Sequence, residues 1–118
     1  MNAKVFVERE QNSRLRLVNT TGATVEKEEF VILGGISGVA LERIENGKVG
    51  AFHVEEGIVL QIGQADIASG AVFPANSLVY YDNGEFGSAK TGHLVGQVTE
   101  PLTSGVIRFA KFFKAEEV

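Results

Sequence analysis

Glycine spacing constrains this chain most. Fourteen glycines fall between short apolar runs, with only two prolines to share the punctuation. Such spacing marks tight turns rather than one flexible linker. No stretch of eleven or more residues repeats its apolar positions with helical period. An all-β fold follows. The expected architecture is a compact single-domain β-barrel or sandwich of about eight to nine short strands, with at most one short helix.

The strands can be placed from local pattern. Residues 1–12 read as an extended N-terminal arm, with one β-prone run at Val5-Phe6-Val7, and residues 13–118 as a single β-rich domain. Arg14 to Val18 alternates charge and apolarity, so it is a half-buried strand with its arginines facing water. Phe30-Val31-Ile32-Leu33 is continuously apolar and reads as a buried strand that ends at Gly34-Gly35. Further strands fall at 38–42, 49–54, 58–62, 78–81, 93–99 and 106–113. The strand at 93–99 is closed by Glu100-Pro101. Asn46-Gly47 and Asn83-Gly84 are hairpin signals, because both residue types tolerate the positive φ of a type I′ turn. Gln64 to Ala68 has room for one or two helical turns. Lys111 interrupts the apolar face of Ile107, Phe109 and Phe113, which leaves the last strand's register open.

Composition narrows the function classes. The net charge is −4 and the basic residues are scattered, which disfavours direct nucleic-acid binding. There is no cysteine, so there is no disulfide framework and no thiolate zinc site. No signal peptide is read at the N-terminus. No apolar run approaches the roughly 20 residues of a membrane helix. The expectation is a soluble protein without membrane association, which stays in the cell that makes it or in a particle assembled there.

Chemical motifs are missing. Asn46-Gly47-Lys48 is followed by Val49, and position 42 is Glu, so no phosphate-binding loop forms. Gly34, Gly35 and Gly38 lack dinucleotide spacing. His53 and His93 stand far apart; His53 and Glu55 share a strand face while Glu56 points away, which is short of a zinc set. The pairs Glu28-Glu29, Glu55-Glu56 and Glu116-Glu117 point to opposite faces and read as solvated surface. Ser37 lacks the spacing of a nucleophile elbow and reads as a turn serine. Of Tyr80 and Tyr81, one ring is expected in the core and the other at a surface or interface. The chain is expected not to be an enzyme and to need no cofactor or metal.

The order of motifs carries a resemblance. Gly38-Val39-Ala40-Leu41, Val54 to Leu60, Ile67-Ala68-Ser69-Gly70, Leu78 to Asp82 and Leu94 to Val98, closed by Gly105 to Phe109, resemble the pattern of phage capsid cement (head decoration) proteins. The likeness runs from about residue 14 to 113. Tyr81 stands where the family has tryptophan, and the Gly70–Leu78 segment, with Pro74 inside it, is longer than usual.

The resemblance implies a structural protein on the outer surface of the expanded virion head, made in the host cytoplasm. It implies the major capsid (coat) protein as partner, bridging of neighbouring coat subunits, and a homotrimer, at least on the capsid. The arm residues Lys4, Val5, Phe6, Val7 and Arg9 are the expected capsid-binding residues. They add as an edge strand to a coat sheet, or they complete the domain's own sheet. The alternative is a small β-rich ligand- or receptor-binding module displayed on a virion, with Tyr80 or Tyr81 as the seed of its platform.

Overall fold

The computed structural model describes residues 4–7 and 14–118. Ten strands are assigned among them, one in the arm and nine in the body: β1 (Lys4–Val7), β2 (Arg14–Val18), β3 (Phe30–Leu33), β4 (Ile36–Ala40), β5 (Val49–His53), β6 (Val59–Gly63), β7 (Leu78–Asp82), β8 (Glu85–Gly87), β9 (His93–Thr103) and β10 (Val106–Glu117). The one helical element is a 3₁₀ turn at Gln64–Asp66, within the segment given one or two helical turns. The all-β expectation holds. The strands form one antiparallel network that is not closed into a barrel.

The network has two lobes. In the larger lobe β10 is central, with β6 on one side and β9 on the other; β9 continues to β7 and β8, and β6 continues to β1. The smaller lobe runs β2-β5-β4-β3. A single pairing, Lys114 with Ile36, ties β10 to β4.

The β3–β4 hairpin is the wall between two cores. Phe30 and Ile32 face a large cluster built around Leu60, Val79, Phe86, Val95 and Phe109. Val31 and Leu33 face a smaller one with Val25, Ile44, Phe52 and Val54. A strand that buries both faces has no polar side to show. That is why Phe30 to Leu33 is continuously apolar rather than alternating. Phe86 packs at 5.0 Å from Phe30, 4.9 Å from Tyr81 and 5.5 Å from Phe109, so the large core is centred on aromatic rings.

Turn chemistry departs from the sequence reading in three places. Asn46-Gly47 is not a type I′ hairpin: Gly47 alone has positive φ, and the turn closes through the Lys48 amide donating to the Glu45 carbonyl at 3.0 Å. It sits in the 41–48 loop, held by the fully buried Asn19. Gly34-Gly35 does have two positive φ values, 59° and 79°, and makes the β3–β4 hairpin. Ser104-Gly105 does the same between β9 and β10. β9 therefore runs past Glu100-Pro101 to Thr103, because a bulge takes up Pro101: β9 advances three residues where β10 advances two. Asn83-Gly84 makes the β7–β8 hairpin as expected.

Ser37 is also relocated. It lies in β4, fully buried, and its hydroxyl donates to the Phe112 carbonyl at 2.7 Å. The glycines on either side of it in sequence belong to different structures, a turn and a strand, which a local reading merged.

Candidate functional site

The expected chemical residues are not brought together. His53 is buried at the end of β5, while His93 is half-buried at the start of β9. Among the described residues no group of three or more His, Asp or Glu could hold a metal ion. The Glu56 carboxylate accepts the Phe113 amide at 2.6 Å, so it ties strands together. No helix among the described residues is long and apolar enough to cross a membrane.

Tyr80 is buried. Tyr81 is half-buried, edge-on to Phe30 at 4.9 Å. Burial pushes the Tyr81 hydroxyl up to about 12, with Glu29 and Asp66 adding to the shift. Neither ring offers the exposed platform that a stacking ligand needs.

The surface has two other kinds of feature. The first is open strand edges. β1 pairs with β6 through Lys4–Gln61, Val5–Leu60 and Val7–Val59, with an irregularity between Val5 and Val7. Val5 packs against the large core. The arm's strand thus completes the domain's own sheet, and its other side has no strand partner among the described residues. Arg9 lies outside the described residues.

β2 is the second open edge. It pairs with β5 alone among the described strands. Arg14 and Arg16 are exposed, as the alternation indicated. Leu15 is 40% exposed, and Val18 and its cross-strand partner Val49 are 46% and 51% exposed. Arg14 and Arg16 therefore share a face with Val18 and Val49, while Leu15 lies on the opposite face with Leu17.

The second feature is a groove of about 670 Å³ beside β3. Glu29, Asp82 and Glu117 contribute carboxylates to it, Ile32 and Tyr81 its apolar wall, and no lysine or arginine lines it. Its lining comes from five separate stretches of chain, so no local motif announces it. Among the described residues the surface thus brings together unpaired strand edges and a carboxylate-lined groove.

A family model described as phage cement protein matches residues 9–113. No curated protein and no solved structure matches the chain.

Proposed function

The chain belongs to the phage cement protein family, and from that premise we propose that it decorates the outer surface of the expanded head, binds the coat protein and bridges neighbouring coat subunits. The observation that carries this reading is the extent of the family match, 105 residues from 9 to 113, which takes in β2 to β9 and most of β10. The two-core body supports it by supplying a stiff unit. In this reading the protein is a non-enzymatic structural component of the virion, made in the host cytoplasm, and a homotrimer at least on the capsid.

The arm, residues 1–12, is the proposed coat contact, with Lys4, Val5, Phe6, Val7 and Arg9 as its binding residues and residues 13–118 as the body. The open side of β1 supports this: a coat strand can add there while β6 keeps the other side. Many copies on one shell turn modest contacts into large collective stability.

Electron microscopy of expanded capsids mixed with the protein tests the reading. Regular density outside the shell, and capsids that break at a higher temperature, are expected. Undecorated shells at saturating protein would sink it. Deleting residues 2–10 is expected to abolish occupancy. It also uncovers β6, so occupancy is measured below the variant's own melting temperature.

A further inference from the structure

We propose that β2 of one copy docks in the acidic groove of a second copy, with Arg14 and Arg16 facing Glu29, Asp82 and Glu117. The inference rests on the self-association proposed above and names the surfaces that make it. Both halves of the contact lie on the same chain. Among the described strands β2 pairs with β5 alone, and its exposed Arg14 and Arg16 share a face with the exposed Val18 and its partner Val49. The groove has three carboxylates, no lysine or arginine, and an apolar wall at Ile32 and Tyr81, with His93 also in its lining. An edge strand left uncovered is a site for pairing with another chain, and arginine beside apolar surface is typical of interface composition.

The occupant is a second copy because charge selects it. The chain carries a formal charge of −4, yet its open edge at β2 is basic, and the groove supplies the opposite sign. β2 and the β3 side of the groove are the two outer edges of the same four-stranded lobe. Contact between unlike edges is head-to-tail, and such contacts close into rings where the rotation allows. Its pairs lie at the surface, so the contact weakens with salt.

Sedimentation of the full chain from micromolar to submillimolar concentration is the test. R14E/R16E reverses one side and D82K/E117K the other. All four positions are exposed, and circular dichroism checks that each variant folds. The native chain is expected to associate reversibly, with each double variant weaker by about tenfold or more and the native contact weakening similarly in high salt. The combined four-substitution variant, whose edges are again complementary, is expected to recover native association. An oligomer indifferent to both reversals overturns this inference and leaves the trimer reading in place. A native chain that stays monomeric throughout overturns it too, while the decoration reading stands or falls separately on microscopy. Loss of capsid occupancy in D82K/E117K but not in R14E/R16E assigns the groove to the coat protein and overturns it as well.

Discussion

The Lys111 ammonium donates to the Val54 carbonyl at 2.8 Å, although 57 residues separate the two in sequence. Lys111 is fully buried. Its Nζ also donates to the Phe112 carbonyl at 3.0 Å and the Glu55 carbonyl at 3.4 Å. Its backbone pairs with Gly57 and Ile58. This is where β10 leaves β9: between Lys111–Gly96 and Glu116–Leu94, β10 advances five residues and β9 two. The extra length carries β10 across to β4, where Ser37 binds the Phe112 carbonyl and Ala115 donates to Gly35. Lys111 is a polar pin at the seam between the two lobes.

Lys111→Met tests the pin. Methionine fills the volume but leaves the Val54 carbonyl without the ammonium donor. A buried acceptor stripped of its partner costs about 1–3 kcal/mol, so a loss of about 2 kcal/mol in urea unfolding is expected at neutral pH. Unchanged or raised stability would mean that desolvating the charge costs as much as its hydrogen bonds return.

The same residue predicts a rise of stability in mild alkali. Burial pushes Lys111 down from 10.5 to about 8, with Glu56 and Glu55 pulling the other way. Below about pH 8 the group is charged in both folded and unfolded chains and adds no pH dependence. Between about 8 and 10.5 the unfolded chain holds the extra proton, so stability rises with pH. The full difference is worth about 3 kcal/mol. Tyr81 acts in the opposite sense. Its folded value is raised from 10.0 to about 12, so its contribution is present below pH 10 and is lost as pH climbs through 12. The clean window is therefore pH 8 to 10. Chemical denaturation across it is expected to show the rise in the native protein and a flat profile in Lys111→Met.

Legibility in the sequence followed how local each cause was. Phe30 to Leu33 reads as a buried strand because its apolarity is contiguous, and Arg14 to Val18 as a strand with its arginines facing water because its alternation is local too. Asn83-Gly84 reads as a hairpin because the turn needs only its own two residues. Asn46-Gly47 has the same letters, but its loop is shaped by Asn19, 28 positions from Gly47, so the local rule chose the wrong turn. Lys111 reads as a fault in an apolar face; two of the three carbonyls that satisfy it come from the β5–β6 turn. The groove was illegible for the same reason, since Glu29, Asp82 and Glu117 meet only after β3, β7 and β10 are placed.

Asn19→Ala is expected to unlock the 41–48 loop. The Asn19 amide donates to the Ala23 and Ile44 carbonyls at 2.8 and 2.9 Å, and its oxygen accepts the Thr21 amide and hydroxyl. Alanine removes one of the two donors to the Ile44 carbonyl, which keeps the Val25 amide. The expected loss is about 2–4 kcal/mol, with faster amide exchange at Gly47, whose N–H donates to the Asn19 carbonyl. Asn19→Asp keeps the acceptor for Thr21 but not the donors, and is expected to fall near the alanine variant. A cost under about 0.5 kcal/mol, the usual range for surface changes, would remove Asn19 from the account.

Glu28→Gly is expected to stabilise the protein. Glu28 holds φ at +69°, a left-handed conformation that costs an L-residue with an ordinary side chain about 1 kcal/mol. The conformation is not free to relax. The Glu28 amide donates to the Ala40 carbonyl at 2.8 Å and the Ala40 amide returns a bond to Glu29, which sets the start of β3 against β4. Glycine removes the steric cost but loses more entropy on folding. The net gain expected is therefore about 0.5 kcal/mol. Glu28→Asn, which tolerates the same region, is expected to gain a similar amount, whereas Glu28→Val is expected to lose about 1 kcal/mol or more because a branched Cβ aggravates the clash. The order Gly and Asn above Glu above Val in thermal midpoint checks the assignment, and a flat series would show that residue 28 relaxes out of the left-handed region in solution.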